Sequence, residues 1–331
     1  MNKKFTLYGL FSNSWSNKPD AIEEDTTPTL KRFFKLFGRK FWNLVTLNLM
    51  MFPMILPLLI VAGLYLGINK TPTAYTSLLA PLYGANMIEH TAESVFLLDL
   101  FGTPYQLPAF NATGTYIGMG ICILFLVVTF GWQNIGATYI LRGLVRGDPI
   151  FPMSDYFYAI KKNLKQGFFL GLLDAVILFL LIFDFIYFQG VVGSFGMDLM
   201  YWAILALGIL YFFMRFYIYH LQITFELSIR KILKNALIFT TLGIKRNLLA
   251  ALGMVLLTAI CAAFIGIIIS IFGLTLLPIP LLLTLFFYLG ATSFMASYAA
   301  YPIIDRYMIA PYAKQTNEDE EELESDSSDA E

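Results

Sequence analysis

Six long apolar runs constrain this chain more than any other feature of its sequence. Each run reaches or exceeds the roughly 20 residues that an α-helix needs to cross about 30 Å of hydrocarbon. The runs lie at about Phe41 to Ile68, Tyr116 to Leu141, Gly167 to Phe188, Met200 to Tyr219, Leu248 to Phe272 and Leu276 to Tyr301. Only 14% of the residues are charged and 58% are hydrophobic, which excludes an ordinary soluble domain with its roughly 25% of charged residues. We therefore predict an all-α, polytopic membrane bundle with six transmembrane helices.

We expect the six helices to pair as three hairpins. The last two runs are separated by a very short break that contains Gly273, Thr275, Pro278 and Pro280. Glycine and proline interrupt helices, so this break predicts a tight hairpin, with one broken span as the alternative.

The distribution of basic residues predicts how the helices are oriented. Lys and Arg are retained on the cytoplasmic side of membrane proteins. Twenty-one of the 22 basic residues fall in the terminal segments and in the loops on one side, and only Lys70 falls on the other. We therefore expect both termini to be cytoplasmic, and an even number of spans independently requires the two termini to share a side.

Three regions follow from this topology. Residues 1–40 form a cytoplasmic N-terminal segment that ends in an amphipathic helix, and residues 41–312 form the membrane domain. An outer loop at about 69–113 interrupts that domain, and its role as a lid or a partner surface stays open. Residues 313–331 form an acidic cytoplasmic tail, in which the last fourteen residues include nine acids. Such a segment cannot bury enough apolar surface to fold, so we expect a disordered, solvated tail.

Amphipathic segments precede the first, third and fifth spans. The first has Thr27 as its expected cap and Pro28 in its first turn, and the second is expected to begin at Ser154. Helices with one apolar and one basic face lie flat in the headgroup region. The expected apolar faces are Leu30, Phe33, Phe34, Phe37 and Phe41; Met153, Tyr156, Phe157, Ile160 and Leu164; and Phe225, Ile229, Ile232, Leu233 and Ala236.

The basic faces of the second and third segments are candidate docking surfaces for a partner or for lipid. They carry Lys161, Lys162 and Lys165, and Arg230, Lys231 and Lys234. Each Lys or Arg contributes about 1 kcal/mol against anionic headgroups, so lipid contact alone would explain this pattern. A basic pair followed by Asn-Leu opens both the third and the fifth span, which suggests an internal repeat. The alternative is that basic residues are expected before any inner membrane entry.

Two acidic residues lie within the predicted third span and are candidate functional residues. Charges at membrane depth are costly and often functional. Asp174 and Asp184 are ten residues apart, about 80° around the helix, so they do not form a coaxial pair. Asp184 is close enough to the outer interface to favour a structural role, whereas for Asp174 both roles stay open. Arg215, in the fourth span, is expected to extend its guanidinium to the inner interface.

Uncharged polar and small residues predict contacts between helices. We expect Asn48, Gln133 and Asn134 to form hydrogen bonds between helices. Small-residue spacings that allow close contact occur at Gly63 and Gly67, Gly114 and Gly118, and Gly167 and Gly171.

No combination of residues predicts an enzyme. The chain has no Gly-rich phosphate loop with Lys-Ser/Thr and no His-Glu-x-x-His motif, and its two histidines and two cysteines do not have metal-binding spacing. We expect no cofactor, no metal and no nucleic-acid partner.

Eight short segments along the chain form a recognisable series. They are Arg146-Gly147-Asp148-Pro149, Asp155-Tyr156-Phe157, Lys161 to Gln166, Leu47-Asn48-Leu49 through Pro57, Thr224 to Ser228, Leu233 to Leu237, Tyr301 to Tyr307, and Asp184 to Tyr187. Together they resemble the YesL family, a bacterial integral membrane domain of unknown function. The resemblance covers most of residues 30–312, in matching order, although the long outer loop, His220 and the acidic tail depart from the pattern.

Members of this family are often encoded beside sugar importers of the ABC type. The resemblance therefore implies a multi-pass protein of the bacterial cytoplasmic membrane that is an accessory or regulatory component of carbohydrate uptake. Its partners would be the lipid bilayer and subunits of such an importer or another membrane protein. The alternative is a small-solute or ion-coupled transporter or channel that uses the third helix around Asp174. A third hypothesis, a membrane enzyme of polysaccharide metabolism, lacks the residues for catalysis.

Overall fold

The computed structural model describes residues 27–68, 112–190, 195–272 and 278–311. Within these ranges the chain forms nine α-helices and a short π-helix, and it contains no strand. The helices are α1 Leu30–Arg39, α2 Phe41–Ile68, α3 Ala112–Arg146, α4 Pro152–Lys162, α5 Leu164–Gly190, α6 Phe195–Thr224, α7 Ile229–Leu242, α8 Ile244–Phe272 and α9 Pro278–Ile304, followed by the π-helix Asp305–Ile309.

Five helices are long and apolar enough to cross a membrane, which confirms the prediction of a helical, multi-pass chain at this level. They are α2, α3, α5, α6 and α8, with apolar stretches over Phe41–Ala62, Gly114–Arg146, Leu164–Gly190, Phe195–Thr224 and Ile244–Ile271. Helix α9 coincides with the sixth predicted span and has 27 residues, but it is not one of these five.

Helix α2 has the predicted bounds, whereas α3, α5 and α6 extend beyond the apolar runs at both ends. Helix α3 continues through Arg142 to Arg146, and α6 continues to Thr224. Hydropathy marks only the apolar part of a helix, but the backbone hydrogen bonds continue into polar sequence. The helices therefore reach beyond the segment that a bilayer would cover.

The structure repeats one arrangement three times, because a short amphipathic helix precedes α2, α5 and α8 with a break of one residue. Each break is capped alike: the amides of Lys40, Asn163 and Gly243 donate to the carbonyl oxygens of the residues four positions earlier, at 2.8, 3.2 and 2.8 Å. A shared local geometry therefore accompanies the repeated sequence pattern.

Two predicted helix starts are wrong. Thr29, not Thr27, caps α1, because its hydroxyl accepts a hydrogen bond from the backbone amide of Arg32 at 3.3 Å. Helix α4 begins at Pro152 rather than Ser154. Proline suits the first turn of a helix because its missing N–H would have no partner there. The carboxylate of Asp155 also accepts from the amide of Phe151 at 2.8 Å, which favours the earlier start.

One end of the bundle, which we call the basic end, contains the first residues of three helices and the last residues of three others. The helices that begin there are α2, α5 and α8, and those that end there are α3, α6 and α9. Three hydrogen bonds hold these segments together: Arg32 donates to the carbonyl of Val145 at 3.1 Å, Arg142 to that of Ile223 at 3.2 Å, and Tyr298 to that of Thr29 at 2.6 Å. Most basic residues of the described ranges lie in these segments. The opposite end is called the far end below.

The turn after α3 requires glycine. Gly147 has a φ of +89°, a left-handed conformation that costs other L-residues energy. The amides of Gly147 and Asp148 both donate to the carbonyl of Gly143, at 2.9 and 3.0 Å. The turn directs the chain into α4, whose Tyr156 packs beneath Gly136. Burial raises the pKa of the Tyr156 hydroxyl, which therefore stays neutral.

The amphipathic helices use only part of their apolar faces to pack on the bundle. Leu36, Tyr156 and Ile232 are buried, whereas Phe34 and Phe157 remain exposed. Each helix therefore divides its predicted apolar face between protein contacts and an outer surface. The prediction that these helices lie in the headgroup region stays a prediction.

By compactness the chain divides into two units, residues 1–52 with 128–331 and residues 53–127. The larger unit holds two buried apolar clusters. One centres on α6 with Tyr217, Ile218 and Leu221, and the other joins α1, the start of α2, α3, α4 and α9 around Leu36, Leu144 and Phe294. In the smaller unit, Gly118 of α3 faces Leu64 of α2.

Several predictions fall on residues outside the described ranges. These are the structure of residues 1–26, most of the outer loop at about 69–113, the break between the last two spans at 273–277, and the acidic tail.

Candidate functional site

Asp174 lies at the centre of a polar cluster between α5 and α6. It is 1% exposed and is the eleventh residue of α5, about 15 Å along the helix from its start at the basic end. The hydroxyl of Tyr211 donates to Oδ1 at 2.8 Å, and that of Tyr219 donates to Oδ2 at 2.6 Å. Nε of Arg215 lies 3.1 Å from Oδ1 and 3.2 Å from Oδ2. The carboxylate therefore has a counter-charge and donors to both oxygens.

The spacing along α6 places the three partners of Asp174 on one face. Tyr211, Arg215 and Tyr219 are four residues apart, so their side chains follow one another along the helix. Arg215 also lies over the ring of Phe130 of α3, with its guanidinium carbon 5.5 Å from the ring centroid. Its side chain is 27% exposed. The prediction that Arg215 extends to the interface is wrong, because its guanidinium pairs with Asp174 instead.

Three glycines allow α3 and α5 to cross at very short distance next to this cluster. A Cβ on Gly131 would overlap the backbone of Gly167 and Gly171, and a Cβ on Gly171 would overlap the backbone of Gly131. The predicted close contact at Gly167 and Gly171 is confirmed. In contrast, a Cβ on Gly114 would meet nothing within 4 Å. The crossing fixes α5, and with it Asp174, against α3.

Polar side chains also lie buried between Asp174 and the basic end. His220 is within 3.0 Å of the Ser297 hydroxyl through Nε2. Gln222 is 3% exposed, and neither of its amide atoms has a hydrogen-bond partner in the described part of the chain. Asn247, which is fully buried, accepts from Tyr217 at 2.8 Å and donates to the carbonyl of Thr240 at 3.1 Å.

Among the polar residues predicted to link helices, only Asn48 does so. Its side chain donates to the carbonyl of Leu285 and accepts from the amide of Gly290 at 2.9 Å, both in α9. Gln133 and Asn134 instead bond within α3, to Thr129 and to the carbonyl of Phe130, at 2.8 Å each. A polar side chain in a helix can reach back one turn, although Oε1 of Gln133 stays buried without a hydrogen-bond partner among the described residues.

The structure does not bring Asp184 to Asp174. Asp184 is ten residues further along α5, about 15 Å towards the far end, and it is half-buried. No hydrogen bond or ion pair of Asp184 occurs within the described ranges. Of the two predicted acidic residues, only Asp174 belongs to a cluster.

The two predicted basic clusters both belong to the basic end, and one hydrogen bond joins residues close to them in sequence. The side-chain amide of Gln166, next to Lys165, donates to the carbonyl of Leu227, three residues before Arg230. We call the combined surface the basic face. It consists of Lys161, Lys162, Lys165, Arg230, Lys231 and Lys234, all exposed and none in an ion pair with a described residue.

Sequence reasoning missed the tyrosines that bind Asp174. The available signal was the spacing of Tyr211, Arg215 and Tyr219, which makes one polar face on an otherwise apolar helix. Within the described ranges, no three His, Cys, Asp or Glu side chains group into a metal site.

Comparisons with known proteins give no relative for this chain. No family model, no curated protein and no solved structure matches it. The resemblance to the YesL family therefore stays a prediction that rests on the residues quoted for it.

Proposed function

We propose that the chain is a non-enzymatic membrane protein that serves as an accessory or regulatory component of ABC-type carbohydrate uptake. In this proposal α9 forms a sixth span, the spans pair as three hairpins, and the basic end lies in the cytoplasm of a bacterial cell. The substrate class comes from the family resemblance alone. The observation that supports docking rather than transport is the contrast between a buried charge that the chain itself neutralises and a basic face that it leaves exposed.

The neutralised charge favours a structural role for Asp174. Ion coupling through a carboxylate requires that a proton or cation reach it and leave again. Both oxygens of Asp174 already accept hydrogen bonds, and a permanently charged guanidinium lies against them. Such a pair holds α5 and α6 together, and its residues need not change partners.

The basic face supports docking because none of its side chains forms an ion pair with a described residue. Exposed apolar residues continue it along α7, including Leu237 and Ile238. Basic residues beside exposed apolar ones suit the rim and core of a protein interface. The proposed partner is a membrane-embedded or membrane-associated importer subunit.

Co-purification after gentle detergent extraction tests this role. We expect the combined variant Arg230→Gln, Lys231→Gln and Lys234→Gln to insert normally and to lose importer subunits that the unaltered chain retains. A matched control removes exposed basic charge elsewhere, with Lys31→Gln and Lys245→Gln, and should retain them. A correctly inserted triple variant that keeps its partners in full would contradict the docking role.

Transport through the α5 region is the second candidate function, and one observation favours it. The Asp174–Arg215 pair is a charged group at membrane depth, and Arg215 is not fully buried. A carrier that depends on this residue should lose uptake in Asp174→Asn and keep it in Asp184→Asn. Asparagine preserves the shape of the side chain, so folding can be verified independently. Unchanged uptake in a folded Asp174→Asn variant would exclude this mechanism.

Cysteine labelling tests the proposed topology. In a background with Cys122→Ala and Cys261→Ala, single cysteines replace Thr103, Thr275 or Ser327. We expect Thr103→Cys and Thr275→Cys to react with an impermeant maleimide in intact cells, and Ser327→Cys to react only after permeabilisation. If Ser327→Cys reacts from outside while Thr275→Cys also does, α9 does not cross the membrane.

A further inference from the structure

The basic end presents strong positive charge that the described chain does not neutralise. The basic face carries six exposed cationic side chains on α4, the start of α5, and α7. Nearby acidic groups are few: Asp155 is engaged by the amide of Phe151, and Glu226 is exposed beside α7. The face therefore keeps a large net positive charge.

The sequence places an acidic segment shortly after the last described residue. Helix α7 packs against α9, and Met308 and Ile309 of the π-helix pack on the same apolar cluster as Ile232 and Ala236 of α7. The described chain thus ends, at Pro311, on the side of the bundle that carries the basic face. Six residues separate Pro311 from Glu318, where nine acids in fourteen residues begin.

The connection from Pro311 to Glu318 is short. Its seven steps between Cα atoms span up to about 25 Å when extended, and the acidic segment adds further reach. A short tether raises the effective concentration of its end to the millimolar range. Opposite charges at such a concentration associate at low ionic strength, and this attraction requires no fixed conformation of the segment.

We propose that the acidic segment Glu318–Glu331 binds the basic face of its own chain and covers it. This goes beyond the proposed function and does not rest on it. The segment competes with any anionic surface for the same six side chains, so the tail controls when the face is available. Its occupancy falls as ionic strength rises, because screening weakens the attraction.

Cross-linking of the intact chain tests the proposal. The protein, with Cys122→Ala and Cys261→Ala, is placed in nanodiscs of zwitterionic phosphatidylcholine. Ser327→Cys is paired with Leu237→Cys, which is exposed on α7 one turn after Lys234, or with Ile267→Cys, which is exposed near the far end of α8. A short bis-maleimide should link Ser327→Cys to Leu237→Cys several-fold more than to Ile267→Cys. The excess should disappear between about 0.01 M and about 1 M salt, as the screening length falls from about 30 to about 3 Å.

Charge variants separate electrostatic binding from mere proximity. Replacing the nine acids by Gln or Asn should remove the excess cross-linking, as should Arg230→Glu, Lys231→Glu and Lys234→Glu together. Combining these three changes with Glu318→Lys, Asp319→Lys, Glu320→Lys, Glu321→Lys and Glu322→Lys should restore the excess cross-linking to Leu237→Cys. Cross-linking to Leu237→Cys that is no greater than to Ile267→Cys, or that the neutral tail leaves unchanged, overturns the proposal. A third outcome would also overturn the proposal. If cross-linking to Leu237→Cys shows no excess, and the variant Arg230→Glu, Lys231→Glu and Lys234→Glu loses binding to phosphatidylglycerol vesicles, the basic face binds lipid headgroups instead of the tail.

Discussion

The two ends of the membrane helices in the larger unit are built differently. Towards the basic end, α5 and α6 bury Leu170, Asp174 and Tyr217. Towards the far end, the same helices expose large apolar side chains, among them Phe179 at 65% and Ile186 at 62%.

This difference shows which interactions give the bundle its specificity. Hydrophobic burial cannot drive helices together in lipid, because lipid tails are as apolar as leucine. Close packing and hydrogen bonds remain, and in the described ranges they concentrate in the half nearer the basic end. We therefore expect substitutions there to affect the fold, and equivalent substitutions near the far end to have little effect.

The largest expected effect is that of Asp174→Ala. Removing one partner of a buried ion pair costs about 3–5 kcal/mol, because the other charge and its donors lose their acceptor. Asp184→Ala, further along the same helix, should change stability by no more than about 0.5 kcal/mol. The free energy of unfolding, measured by steric trapping in bicelles, compares the two variants. If Asp174→Ala and Asp184→Ala lowered the free energy of unfolding equally, the two ends of the bundle would not differ in the way described here.

Substitutions where α3 and α5 cross at glycine should have the next largest effect on stability. Gly131→Ala and Gly171→Ala each place a methyl group into the backbone of the facing helix, and overpacking of this kind costs about 1–3 kcal/mol. Gly266→Ala, near the far end of α8, has nothing within 4 Å of the added carbon. It should be neutral or slightly stabilising, since alanine favours helix. Thermal unfolding in detergent measures all three. A loss in Gly266→Ala as large as in Gly131→Ala would contradict the proposed contrast in packing.

The smallest effect concerns α1, which belongs to the basic end without lying in a span. Thr29→Ala should cost about 1 kcal/mol, the usual value for a lost N-cap. It should also increase hydrogen exchange at the amide of Arg32, which the Thr29 hydroxyl accepts from. Thr27→Ala tests the cap that the sequence predicted and should leave exchange at Arg32 unchanged. If Thr27→Ala increased hydrogen exchange at Arg32 and Thr29→Ala did not, Thr27 would be the N-cap of α1.

The sequence predicts the membrane helices well because their signal is local. A continuous apolar run is sufficient to locate α2 at Phe41–Ile68, and proline and threonine mark the start of α1 to within a few residues. The site is less predictable because its contacts join distant parts of the chain. Asp174 meets Tyr219 across 45 positions, and although the predicted hairpins pair α5 with α6, no local pattern shows which of their residues face each other.

The same limit explains the errors at single residues. Arg215 has a long side chain near a helix end, so the sequence alone favours an outward orientation, and only the neighbouring carboxylate reverses it. Gln133 and Asn134 could bond to another helix or to their own, and the choice depends on how α3 is rotated. The helix rotation is a tertiary property, and the six runs do not encode it individually.

The pairing of Asp174 with Arg215 has an electrical consequence. A single elementary charge moved across a membrane exchanges about 2.3 kcal/mol with a potential of 100 mV. The pair sums to zero, so a displacement of α5 and α6 together carries no net charge through the field from these two residues. A voltage jump should therefore perform no work on this cluster, whereas the Asp174→Asn variant would leave the charge of Arg215 uncompensated and make the same displacement sensitive to voltage.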